Sequence, residues 1–186
     1  MEGPGKGRIE IQINSDTLEG EGLLEAARRM AVAARTAPKA RGVDEILTLV
    51  VTGEDKDRMA DEMERIGRES DRAFFVRDAG NVRNCPAVVL IGAPNRTRKV
   101  SPCGFCGFGD CEGCEQAGGL CAIAAADLGI AVGSAASVAA DQRVDNRVLF
   151  TAGKAAMALG LFPGEVANAY GIPLSATGKS PFFDRK

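Results

Sequence analysis

The sequence predicts an α+β domain in three layers, α/β/α, with a cysteine-rich loop inserted between a central strand and a long Ala/Gly-rich helix. Three observations predict it. Ile46–Thr52 and Pro86–Gly92 are almost continuous apolar runs between turn residues, the pattern of strands buried on both faces. The segments around them repeat their apolar residues at helical spacing, so helices must cover that sheet. At 186 residues, 45% of them apolar, the chain supports one core and is too short for two, so 1–186 is expected to be a single domain with 101–121 embedded in it.

Taken in order, Met1–Gly7 is expected to be a tail, and Ile9 and Ile11 alternate with polar residues as in a short strand. Ser15 or Asp16 can cap a helix whose apolar face is Leu23, Leu24, Ala27, Met30, Ala31 and Ala34, with Pro38 and Gly42 ending it. Ile46–Thr52 then reads as a buried central strand. Glu54–Arg68 is strongly charged, but Met59, Met63 and Ile66 mark one buried stripe on a helix, and Phe74–Val76 start a second that stops near Gly80. Pro86–Gly92 is the second strand, and Cys85 before it reads as a buried small residue. Ala122–Ala140 is a helix of Ala, Gly and Ser carrying Ile123, Leu128, Ile130, Val132 and Val138. Its small residues predict close packing, so a leucine at Gly133 is expected to over-pack it. A further helix over Asn146–Leu161, with Val148, Leu149, Ala152, Ala156 and Leu159 inward, stops at Pro163-Gly164, and Val166–Leu174 is the last strand.

The chemistry is concentrated in Ser101–Cys121. Five of the six cysteines, Cys103, Cys106, Cys111, Cys114 and Cys121, fall within nineteen residues, and the chain has no histidine. Thiolates this close repel one another unless a metal centre holds them. The spacing is C-x2-C-x4-C-x2-C-x6-C, with Gly104, Gly107, Gly109 and Gly113 between the sulfurs. Glycines let the chain wrap tightly and aim N–H groups at a central anion, which suits an iron–sulfur cluster. A zinc ribbon needs its two C-x2-C pairs a dozen or more residues apart, and here the gap is four. Zinc and disulfides stand as the alternatives. Phe105 and Phe108 are positioned to keep water off a cluster.

Several functions are excluded or unsupported. Net charge −2 and a pI near 5.4 argue against a nucleic-acid surface, and the basic run Arg96-Thr-Arg98-Lys99 reads as solvated loop. Asp110, Glu112 and Glu115 likewise read as solvent-facing charges. The start MEGPGKGR lacks an apolar leader segment, and no apolar run is read as a membrane span, so a reducing cytoplasm is expected. Ser175-Ala-Thr-Gly-Lys-Ser180 resembles the end of a phosphate loop, but Pro173 stands where the first glycine belongs. Without histidine there is no Ser-His-Asp triad.

Three resemblances add to this reading. Cys103-Gly-Phe-Cys106-Gly-Phe-Gly-Asp-Cys111 resembles the opening of the four-iron modules in corrinoid iron–sulfur proteins and electron-transport subunits. Their fourth cysteine follows a longer gap, which implies Cys121 rather than Cys114. The wider stretch, with Asp127–Ala135 and Gly171–Lys179, resembles an uncharacterised family of ferredoxin-domain proteins also described as zinc-ribbon-like. Leu23–Pro38, running into a strand, is similar to the opening of flavin-dependent nitroreductases, which implies a nitroreductase-like fold and a homodimer. The basic cluster with which those enzymes grip the FMN phosphate has no counterpart in Gln12–Gly20, and Lys39 and Arg41-Gly42 replace their Ser and Asn. The resulting expectation is a cytoplasmic [4Fe–4S] electron-transfer protein with ligands Cys103, Cys106, Cys111 and Cys121 and a redox partner protein. A zinc-binding structural module and a flavin reductase fed by the cluster are the alternatives, so an oxidoreductase activity stays open.

Overall fold

The computed structural model describes residues 12–183. The expected strand at Ile9 and Ile11 lies outside them. Helix α1 (Ser15–Thr36) is capped by Asn14, whose Oδ1 accepts the Thr17 amide at 2.9 Å, one residue before the expected caps. Strand β1 (Leu47–Thr52) leads directly into α2 (Gly53–Glu69), followed by α3 (Ala73–Arg83) and β2 (Ala87–Ala93). Next come α4 (Cys111–Gln116), α5 (Ala122–Asp141), the two-residue β3 (Asp145–Asn146), α6 (Phe150–Ala158) and β4 (Asn168–Ser175). The sheet order is β1-β2-β4-β3, every pair antiparallel.

β2 is the centre, buried along its whole length, and its alternation divides the core in two. Ala87, Val89 and Ile91 face α1 and α5, packed with Leu23, Met30 and Leu128. Val88 and Leu90 face the other side, with Met59, Met63, Phe75 and Ala156 from α2, α3 and α6. The three layers are therefore as expected. On α2 the charges form the solvated face, paired as Glu62–Arg65 and Glu64–Arg68.

Four expectations are corrected. β1 is an edge strand, half-buried over most of its length, because its apolar run reflects cover by α1 and α2 and not a second strand neighbour. The expected helix 146–161 is shorter: Asp145–Asn146 joins the sheet first, and Val148 is exposed. Gly133 faces open space, with nothing within 4 Å of where a Cβ would stand, so the tight contact expected there does not exist. Finally, α5 is long and apolar enough, by length and composition, to cross a membrane, contrary to the sequence expectation. Here its Leu128, Ala131 and Ala135 face is packed into the core.

Cys85 is buried as expected, and its thiol donates to the Val82 and Ala87 carbonyls at 3.1 and 3.3 Å. Burial pushes its pKa from 9.0 up to about 11, partly offset by Lys56. The folded state thus holds a proton that the unfolded chain releases above pH 9.0, so this contribution is complete below pH 9.0 and is lost as pH rises towards 11. Urea midpoints of wild type should fall between these pH values, and Cys85→Ala should flatten the fall by on the order of 2 kcal/mol. Equal slopes in both proteins would refute this assignment.

Candidate metal centre

β2 delivers the chain to the cysteine segment, and α5 takes it back into the core. Between them Ser101–Pro102 is a cis peptide, and Gly104, Gly107 and Gly109 adopt left-handed φ values of 67°, 84° and 78°. Side chains with a Cβ rarely adopt these values, so glycine is what lets the segment coil over so few residues. The Gly107 amide closes one coil on the Gly104 carbonyl at 3.0 Å. Asp110 caps α4, its Oδ1 accepting the Gly113 amide at 2.8 Å, which puts Cys111 and Cys114 one turn apart on that helix. The Gly119 amide then bonds the Cys114 carbonyl at 2.8 Å, and Cys121 is the N-cap residue of α5.

Cys114 is fully buried, and Cys106, Cys121 and Cys111 lie near enough to act on its charge. Burial first, then Cys106, pushes its pKa up to about 11. Cys121 is also buried, whereas Cys103, Cys106 and Cys111 are partly exposed. Cys103 and Cys111 both line a surface cavity of about 380 Å³, with Lys99, Pro102 and Glu112. All six cysteines are free. Among the described residues, no three Cys, Asp or Glu side chains enclose a site for a single ion. The donor set nevertheless fits an iron–sulfur cluster: several grouped thiols, no imidazole, and positive-φ glycines between them. The two phenylalanines behave differently from one another. Phe108 packs its ring onto Gly119, while Phe105 is 77% exposed and covers nothing.

Arg96 and Lys99 of the basic run before the loop are exposed as expected, but Arg98 is not. Arg98 is only 3% exposed, its Nε donating to Asp127 Oδ2 on α5 at 2.8 Å and its Nη1 to Glu45. Burial opposes its charge, but the bonds to Asp127 and Glu45 outweigh burial and raise its pKa. Asp127 is equally buried and also accepts the Ala40 amide at 2.9 Å. Lys99 Nζ donates to Glu115 at 2.6 Å, and with Thr97 it holds that carboxyl below its usual range, so Glu115 is a paired charge. The pairing of Arg98 with Asp127 was not read from the sequence. The available signal was a lone carboxylate amid the apolar residues of α5, which must find a partner if buried.

Among the described residues, the groove at the start of α1 offers a flavin phosphate no cation. The groove there is lined by Asp16, Glu19, Gly20, Leu23 and Thr177, carboxylates where a phosphate needs cations. The residues described at this groove do not fit FMN.

Comparison with known proteins agrees with this architecture. A nitroreductase with bound FMN from Desulfitobacterium hafniense superposes with a TM-score of 0.56 at 18% identity, covering 92% of this chain and 84% of its own. The hypothetical oxidoreductase YcnD from Bacillus subtilis gives 0.53 at 14% identity over 84% of this chain, which spans 58% of that protein's length. These likenesses establish a nitroreductase-like fold. In sequence, an uncharacterized protein of Archaeoglobus fulgidus is 42% identical over 182 residues, 93% of this chain and 97% of the relative. Residues 117–185 match the model of the family described as "Uncharacterized protein containing a ferredoxin domain" (DUF2148), a stretch that includes Cys121 but not the other four clustered cysteines. With that match and a relative so similar along nearly its whole length, the chain belongs to this ferredoxin-domain family.

Proposed function

We propose that the chain is a ferredoxin-like electron-transfer protein holding one [4Fe–4S] cluster on Cys103, Cys106, Cys111 and Cys121. The observation that carries this reading is the run of five cysteines on a glycine-turned segment that ends at the N-cap of α5, in a chain without histidine. Bound there, the cluster would supply one-electron transfer. The chain's own residues supply the rest. Cys121, at the N-cap of a twenty-residue helix, meets the positive end of the helix dipole, which favours a thiolate. Cys103 and Cys111, beside the surface cavity, form the side that a redox partner protein reaches. A reducing cytoplasm keeps such thiols available.

Protein purified anaerobically under iron-replete conditions should be brown and contain about four iron and four acid-labile sulfide per chain. Colourless protein with stoichiometric zinc and no sulfide would overturn the reading in favour of a structural zinc module.

The chain also pairs with a second copy along α5. Gly129, Ile130, Gly133 and Ser137 form an exposed stripe, Ile130 being 46% exposed, and Cβ positions at both glycines are open. An apolar helix left partly uncovered, with a flat glycine track, suits a self-complementary two-fold contact. Gly133→Leu should therefore leave the monomer folded yet convert a dimer to monomer in light scattering. A dimer that persists in this variant would place the contact elsewhere.

A further inference from the structure

Between β2 and the first clustered cysteine, Asn95, Thr97 and Lys99 each bond to the cysteine segment. Asn95 Nδ2 donates to the Gly119 carbonyl at 2.9 Å, two residues before Cys121. Thr97 and Lys99 both hold Glu115, the neighbour of Cys114. Arg98, five residues before Cys103, reaches Asp127, six residues after Cys121. Arg41 adds bonds to the Arg98 and Lys99 carbonyls at 3.2 and 3.3 Å.

We propose that Asn95–Lys99 is a clamp that fixes the cysteine segment against α5, and that the buried Arg98–Asp127 pair is its lock. The proposal rests on the metal-centre reading for its purpose, and names the residues that set the spacing between Cys103 and Cys121. The surface contacts to Glu115 are exposed and contribute little alone. The Arg98–Asp127 pair is different, because both side chains are removed from water and the pair spans the whole cysteine segment. Arg98 Nη2 is buried without an acceptor among the described residues. A guanidinium held at that cost is poorly explained as a device for stability, since an apolar pair of similar volume would fill the space as well. It is well explained as a device for position: a rigid planar fork bonded to Asp127 and Glu45 leaves the loop base one arrangement.

Asp127→Asn tests the lock with little disturbance. Asparagine keeps an acceptor for the Ala40 amide, and Arg98 keeps Glu45. The variant should fold with a wild-type far-UV spectrum. In anaerobically loaded protein it should lose iron to a chelator about tenfold faster or more, the scale carried by partners outside the ligand shell. In metal-free protein, the amides of residues 111–121 should exchange faster than in wild type. Arg98→Lys, which keeps the charge but not the fork, should fall between the two, and carries both readouts should Asp127→Asn not fold. Wild-type iron retention together with wild-type exchange would overturn the clamp. If wild-type protein takes up no iron, the metal-centre reading fails, and the exchange measurement on metal-free chains still decides the clamp.

Discussion

Cys121→Ser is expected to lose most of its iron, or to keep a labile three-iron form, while Cys114→Ser keeps about four iron per chain and its EPR signal on reduction. The two cysteines compete for one position. Cys114 is fully buried, with Cys106 and Cys121 near it, and shares a helical turn with Cys111. Cys121 has the N-cap of α5, lies beyond the Gly118-Gly119 return, and alone among the five falls inside the stretch matching the family. The helix dipole and the long gap after Cys111 favour Cys121. Serine at the fully buried Cys114 exchanges a thiol for a more polar hydroxyl, with a stability cost of roughly 1–3 kcal/mol if it goes unpaired. Iron must therefore be counted per folded chain. The reverse pattern, loss in Cys114→Ser and retention in Cys121→Ser, would make Cys103, Cys106, Cys111 and Cys114 the ligand set.

Gly153→Ala is expected to be the most damaging single methyl group in the fold. An ideal Cβ at Gly153 would stand 2.0 Å from the Ala169 carbonyl oxygen and 2.7 Å from the Tyr170 amide nitrogen. At Gly171 a Cβ would stand 2.6 Å from that of Ala152. α6 thus lies on β4 with backbone against backbone, and an added methyl must push the helix off the central sheet. The cost should be about 3 kcal/mol or more, which for a domain of this size lowers Tm by roughly 6–12 °C. Gly80→Ala in α3 is the contrasting case, because nothing lies within 4 Å of its Cβ position. There the same change should stabilise by up to ~1 kcal/mol through helix propensity. Matching melting temperatures for the two variants would mean that α6 does not approach β4 this closely in solution.

Much of the fold was legible because it rests on local pattern. The apolar face of α1, the Met59 and Met63 stripe of α2, the fully buried β2 and the burial of Cys85 all follow from residues within one or two turns of each other. What misled was pattern without direction. Ile46–Thr52 showed that both faces are covered but not that β1 stands at the edge of the sheet formed by the described residues. Asn168–Ser175, with a glycine and a proline inside it, gave little sign of being an inner strand pairing Val88 with Pro173. The Gly/Ala composition of α5 signalled close packing without saying which face packs, and Gly133 turned out to lie on the open one.

The sequence by itself determined the three layers and the concentration of cysteines in one segment, because hydrophobic periodicity and thiol spacing are properties of neighbours along the chain. Only the tertiary structure decided the strand order, the burial of Cys114 and Cys121, and the partnership of Arg98 with Asp127 across 29 residues. The physical reason is range. A run of basic residues carries the same charge whether solvated or buried, and only long-distance packing decided that Arg98 would leave water and need a carboxylate.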